Sequence, residues 1–276
     1  MIPASFDYQR ATSVDEALAA LAEHGDDAKL LAGGHSLLPL MKLRLAMPSV
    51  LVDIGRIPDL SYVQGDGGEI RIGALTRHYD LATSELAREQ VPLLAAVAAQ
   101  IGDPQVRHRG TVGGSVAHGD PASDLPAALV AMRATLVARG PGGERSIAAD
   151  DFFTGFLETA LAPDEILTEI RVPAAPDAGW GFEKFQRRAQ DWAIVGVAAV
   201  LTNGSGGPGV ALVNMGSLPV RAGGVEEALR SGSGAGDAAA RAADGTEPPD
   251  DLNATPEFRR HLAQVLTRRA LEAAGA

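Results

Sequence analysis

The chain contains no cysteine. It can therefore form no disulfide, offer no thiolate nucleophile, and hold no zinc or iron–sulfur cluster through thiolates of its own. Long apolar runs are also missing: the longest, 192–201, has ten residues, about half of the roughly 20 that a membrane-spanning helix needs. Basic residues are outnumbered, 24 Lys+Arg against 35 Asp+Glu, for a net charge of −11. No Lys/Arg cluster interrupts that balance, which disfavours a general nucleic-acid binder because phosphate neutralisation needs a concentrated basic surface. The six histidines (24, 35, 78, 108, 118 and 261) form no HExxH and no close helical pair, so no bound metal is expected. The start, MIPASFDYQRAT, carries Asp7 and lacks the basic and apolar regions of a secretory signal, and a cytoplasmic address is expected.

What is present is a globular composition of 276 residues, 46% hydrophobic and 21% charged. Single cores stop growing at about 250–300 residues, so two domains are the better starting expectation. Ser13 followed three residues later by Glu16 reads as a capping box opening an amphipathic helix that stops at Gly25. A strand at 29–32, a helix over 40–46 and a strand at 49–54 follow, giving a compact α/β unit. GDGG at 65–68 turns a hairpin. Helices are expected over 76–83, 91–101 and 125–132, then a second hairpin at 134–149 and a strand at 165–173, which makes an α+β domain. The Pro/Ala/Gly-rich stretch near 177 marks a boundary. Beyond it lie three strand candidates in an antiparallel meander, a Gly/Ala/Pro-rich segment 232–251 that reads as a mobile loop, and a helix over 256–274.

Two glycine pairs carry the chemistry. Gly33-Gly34, in LLAGGHSLLP, and Gly113-Gly114, in RGTVGGSVAHGDPASD, stand where a regular segment ends and a loop begins. Adjacent glycines let backbone N–H groups turn toward one concavity and let an anionic oxygen approach closely. Ser36 adds a hydroxyl to the first; Thr111 and Ser115 flank the second. Two such nests suit the two phosphates of a dinucleotide, with Asp124 placed to accept hydrogen bonds from sugar hydroxyls. Each pair read alone is also a plain tight turn, and Asp124 is equally an N-cap residue. Neither pair fits G-x-G-x-x-G or the phosphate loop G-x-x-x-x-G-K-[ST].

The strings LLAGGHSLLPLMKLRLAMPSVLVDI and TVGGSVAHGDPASDLPAAL, continued by FEKFQRRAQDWAIVGVAAVL, resemble the FAD-binding medium subunit of molybdenum hydroxylases, the flavoprotein group of carbon monoxide and xanthine dehydrogenases. The resemblance covers nearly the whole chain. It implies a two-part FAD-binding domain of the vanillyl-alcohol-oxidase (PCMH) type over 1–177, with subdomains of about 1–56 and 57–177. A smaller C-terminal domain over 178–276 would hold a three-stranded antiparallel sheet and helices. By position, Ala32, Gly33, Gly34, His35 and Ser36 match the first diphosphate loop, and Thr111, Gly113, Gly114 and Ser115 the second. Asp124 matches a carboxylate on FAD hydroxyls, and Leu167 a backbone contact to the isoalloxazine. Lys184 and Trp192 match residues close to the flavin ring. Trp192 stands where relatives often have Tyr, and Gly119 where Ala is common, a change read as softening the local backbone only. Without the resemblance Lys184 reads as a solvated strand lysine and Trp192 as core.

The resemblance further implies a function without catalytic side chains beyond the flavin. Electrons would leave substrate at a molybdenum cofactor on a large subunit, cross two [2Fe-2S] clusters on a small subunit, reduce FAD here and pass to an external acceptor, the whole assembled as a dimer of heterotrimers. The missing cysteines fit that division of labour. A free-standing FAD-dependent oxidoreductase and a non-catalytic nucleotide-binding assembly module stay open as alternatives.

Overall fold

A computed structural model describes residues 2–202 and 206–276. The N-terminal unit consists of β1 (Asp7–Arg10), α1 (Val14–His24), β2 (Ala28–Leu31), α2 (Leu37–Lys42) and β3 (Val50–Asp53). Its strands form a wholly parallel sheet in the order β1-β3-β2. Sequence patterning misses β1 because DYQR is exposed throughout and has no apolar alternation. The capping box is displaced by one residue: Ser13 Oγ accepts from Glu16 N, but the Glu16 carboxylate reaches Thr12 N at 2.6 Å rather than the cap residue's own N–H. α2 lies earlier than expected, with Pro39 in its first turn, where a missing N–H costs nothing. Ala17, Ala20 and Leu21 of α1 pack on Val50, Val52 and Ile54 to make a small core of their own.

The second unit contains β4 (Val63–Asp66), β5 (Glu69–Gly73), α3 (His78–Thr83), α4 (Glu85–Gln90), α5 (Pro92–Ala99), α6 (Pro104–Arg109), α7 (Val112–His118), α8 (Asp124–Ala131), β6 (Thr135–Gly140) and β7 (Gly143–Ala148). It continues through α9 (Ala149–Phe152), a small ladder of β8 (Phe153–Gly155) with β9 (Glu158–Thr159), and β10 (Ile166–Pro173). The main sheet is antiparallel, in the order β4-β5-β10-β6-β7. Gly67 and Gly68 both take positive φ, 58° and 96°, the requirement of the tightest hairpin turn. The three expected helices are present as α3, α5 and α8. The pattern misses α4, α6 and α7, which are too short, at six or seven residues, to show two turns of periodicity. α8 is buried along its whole length.

The third unit joins β11 (Gly179–Phe185), β12 (Val195–Leu201), β13 (Pro208–Val213) and β14 (Val220–Arg221) with α10 (Gly223–Arg230), α11 (Ala235–Ala239) and α12 (Pro256–Ala274). The expected meander is there, extended by the two-residue β14. One face of β12, carrying Ala198 and Val200, joins the core around α8, while Val195, Val197 and Ala199 join the core under α12. Burial on both faces explains why this strand supplies the longest apolar run in the chain. Gly181 has no room for a side chain: a Cβ there would overlap the Ala270 carbonyl oxygen of α12.

The segment 232–251 departs from expectation. It carries α11 and buries Ala235, Ala238 and Ala242 in the core under α12. Alanine and glycine here allow close packing instead of marking a mobile loop. Nearby, the buried Glu226 accepts hydrogen bonds from Val210 N at 3.0 Å, Arg221 at 2.8 Å and Arg230 at 3.0 Å. Arg221 also pairs with Asp150 and donates to the Val130 carbonyl, so this network ties the third unit to the second. Glu226→Ala leaves three polar groups short of an acceptor. Urea unfolding is expected to show a loss of about 3 kcal/mol, the low end for a broken buried pair because its arginines are partly solvated. A loss under about 1 kcal/mol would assign the network to the surface class.

Candidate functional site

The two glycine loops meet. Gly33 packs so tightly on the loop before α7 that a Cβ there would overlap the Arg109 carbonyl oxygen and lie 2.9 Å from Gly110 Cα. A Cβ on Gly114 would come within 2.6 Å of Thr111 Oγ1 and 3.7 Å of Ala32 Cβ. The first pair follows β2, with Gly34 at φ 79°. The second departs from expectation: Gly113 and Gly114 lie inside the first turn of α7, whose N-cap Thr111 accepts from Gly114 N at 3.1 Å. Part of the glycine signal therefore comes from chain-on-chain contact. Gly113 is pressed against Ala74, where a Cβ would meet Ala74 Cβ at 2.5 Å.

The floor of this junction is the stretch 74–78. Gly113 N donates to Ala74 O at 2.8 Å, Val112 N to Thr76 O at 2.9 Å and His78 N to Gly110 O at 3.2 Å. Arg77 donates to the Arg109 carbonyl. Ala74 N in turn donates to Thr168 O at 2.9 Å, which connects the junction to Leu167, buried at an irregularity of β10 between 167 and 169. Ser36 and Ser115 are half-buried, and the Ser36 hydroxyl makes no cap bond to α2. His35 is exposed beside them.

At the far end of α7, Gly119 takes φ 66° and closes the helix. A Cβ would sit 3.1 Å from Glu158 N. Glycine here is demanded by a left-handed turn and a close neighbour, which corrects the reading that it merely softens the backbone. Asp124 then opens α8 at its first position, the cap being Ser123. Its Oδ2 accepts from Lys184 Nζ at 2.7 Å. Both side chains are buried, 5% and 3% exposed, so Lys184 is not a solvated strand lysine. Burial pushes the Asp124 carboxyl up, and the neighbouring Lys184 ammonium draws it back down. Among the described residues Asp124 Oδ1 is buried without a partner, as is Gln186 Oε1.

Trp192 is 73% exposed, which overturns its reading as core. Its loop is nonetheless fixed. Asn214 Nδ2 donates to Ala193 O at 2.9 Å while Asn214 N donates to Pro121 O at 2.8 Å, and the fully buried Arg259 donates to the Ile194 carbonyl. Asn214, with φ 60°, so bridges the turn before α8 and the tryptophan loop. Sequence reasoning misses Asn214, Arg259 and His78, because none belongs to a motif. The signal that could have drawn attention to His78 and Arg259 is polarity inside otherwise apolar or helical segments.

His78 is 3% exposed, its ring lies under Gly110, and its Nδ1 has no partner among the described residues. Burial, with His35, Arg77 and Arg107 nearby, lowers its pKa from 6.5 to about 4. A depressed histidine contributes stability that is complete above about pH 6.5 and is lost as pH falls toward 4, since the unfolded chain binds the proton first. Wild type is expected to lose about 3 kcal/mol across that window from this group. His78→Leu, compared by urea unfolding at pH 7 and pH 4.5, should lose correspondingly less. Equal losses in the two proteins would show that His78 titrates freely in the folded state.

Comparison with known proteins follows the whole chain. The family model described as FAD binding domain in molybdopterin dehydrogenase matches residues 4–175, and the CO dehydrogenase flavoprotein C-terminal domain matches 180–274. The chain is 43% identical over 284 residues to the carbon monoxide dehydrogenase medium chain of Hydrogenophaga pseudoflava, with 100% of this chain and 99% of that one covered. It is 37% identical over 279 residues to the glyceraldehyde dehydrogenase medium chain of Sulfolobus acidocaldarius, covering 99% of each. Among solved structures, carbon monoxide dehydrogenase from Hydrogenophaga pseudoflava lacking the Mo-pyranopterin moiety superposes with a TM-score of 0.95 at 44% identity, covering 99% and 98%. Quinoline 2-oxidoreductase from Pseudomonas putida 86 gives 0.92 at 32%, with the same coverage.

Proposed function

The chain belongs to the FAD-carrying medium subunits of the molybdenum hydroxylases, and from that membership we propose that it works as the electron-transfer flavoprotein of a larger complex. The partners in this proposal are a large molybdenum-cofactor subunit and a small [2Fe-2S] subunit, assembled as a dimer of heterotrimers. Bound FAD supplies a two-electron carrier that accepts electrons from the partner's clusters and yields them to an external acceptor. The proposal includes a FAD-binding domain 1–177, with subdomains of about 1–56 and 57–177, and a C-terminal domain 178–276. Support comes from the separate sheets of the second and third units and from the family matches at 4–175 and 180–274.

The observation that carries this reading is the direct packing of the two glycine loops on each other. Gly33 and Gly114 have no room there for a side chain, because Arg109, Gly110 and Thr111 lie against them, so the junction is built of backbone. Such a cradle fits a diphosphate. In this reading Ala32, Gly33, Gly34, His35 and Ser36 hold one phosphate, and Thr111, Gly113, Gly114 and Ser115 the other. Asp124 uses its unpartnered Oδ1 to accept from hydroxyls of the cofactor. Leu167 meets the ring through its backbone, Lys184 places an ammonium near it, and exposed Trp192 offers an aromatic face.

The packing also ranks the possible tests. Gly33→Val would unseat Arg109 and Gly110 as well as block a phosphate, so loss of colour there would be ambiguous. Ser36→Ala is cleaner, because that hydroxyl has no structural cap to lose. It is expected to weaken FAD binding by about 1.5–3 kcal/mol, roughly ten-fold to a hundred-fold, the scale of a hydrogen bond to a charged group. Titration of FAD into deflavinated protein measures this, and unchanged affinity would remove Ser36 from the phosphate site. For the complex itself, the native protein should co-purify with flavin absorption, molybdenum and iron. Flavin without either metal would favour a free-standing oxidoreductase.

A further inference from the structure

Asp124 and Lys184 come from different units of the fold. Asp124 starts α8, Lys184 lies on β11, and their contact at 2.7 Å is closed from solvent, with side chains 5% and 3% exposed. An ammonium has three donors and a carboxylate can accept at both oxygens. The Lys184–Asp124 bond uses one of the three donors, and Oδ1 stays unpartnered. Gln186, the residue after β11, also holds a buried oxygen without a partner among the described residues. The protein has thus assembled a neutral ion pair with unused hydrogen-bonding capacity, complete before any ligand is added.

Such a pair differs in kind from a lone lysine. An isolated buried cation would present a full positive charge to its neighbour, whereas a cation held against a carboxylate presents mainly a dipole. We propose that Asp124 is a positioning residue for Lys184. It fixes the ammonium in place in the empty protein and offsets much of its charge, so that the balance of the two groups, rather than Lys184 alone, sets the midpoint potential of the FAD. This inference rests on the reading that FAD occupies the site. Its consequence is an opposition of sign. Removing the carboxylate leaves the ammonium less compensated and favours the electron-rich, reduced cofactor. Removing the ammonium withdraws the positive end of the dipole and disfavours it.

The test is a set of three proteins, Asp124→Asn, Lys184→Met and the double variant, each taken as the native complex. Spectroscopic redox titration of bound flavin is expected to give a raised midpoint potential for Asp124→Asn, a lowered one for Lys184→Met, and an intermediate value for the double variant. Thermal melting of the deflavinated proteins supplies a readout that does not depend on the cofactor. Each single variant should melt lower than the double, because each leaves one buried charge without its partner. Single shifts in the same direction, or none while flavin is verified as bound, would overturn the positioning role. Additive losses in melting temperature would overturn the preformed pair. If wild-type apoprotein takes up no FAD, the functional reading itself fails, which is distinguishable from either result.

Discussion

Helix α8 is the constraint around which the rest of the molecule is arranged. Every residue of it is buried, wedged between the helices that cover the five-stranded sheet and the inner face of β12 and β13. A helix buried on all sides needs an apolar sequence, and LPAALVA supplies one. Its first residue is nevertheless a carboxylate, and a buried carboxylate is tolerated only if it is paired. The pair is drawn from the neighbouring unit through Lys184, and the third unit is then held at two further points. Asn214 joins the turn before α8 to the tryptophan loop, and Arg221 caps the Val130 carbonyl near the helix end.

The site inherits its order from that arrangement. One end belongs to the contact between the first and second units, where Gly33 meets Arg109 and Gly110. Its other end belongs to the contact between the second and third, where Asp124 meets Lys184. The stretch 74–78 joins them, bonding to the loop before α7 on one side and to Thr168 on the other. No single unit contains the site, so a displacement of any one of them would be felt along its length.

Much of this was legible in the sequence, and what was not has physical reasons. Long or strongly patterned elements declared themselves: α1 through its cap, the GDGG hairpin through its glycines, α12 through its length. Short elements did not, because six residues cannot display a helical period, and β1 did not, because an exposed strand need not alternate. The glycine pairs mark a junction between two units, Gly33 lying against Arg109 and Gly110. They answer to close approach of one backbone to another as well as to the shape of a ligand. The alanine-rich 232–251 segment read as loose because small residues look alike whether they are solvated or packed under a helix. Pairings such as Asp124 with Lys184, 60 positions apart, leave no trace in local pattern at all.

The placement of β10 has a consequence for how the chain comes into being. It is the last strand of its sheet to be made and yet lies in the middle, between β5 and β6. Until residues 166–173 leave the ribosome, the edges of both earlier hairpins are unpaired, an invitation to intermolecular pairing. Until residue 184 follows, Asp124 has no counter-ion and α8 has nothing to be buried against on one side. Long-range pairing of this kind is slow to form because loop closure must precede the contacts that reward it. The Asp124–Lys184 pair is therefore a late product of synthesis, and a nascent chain halted before the third unit would hold both glycine loops but leave Asp124 without its counter-ion.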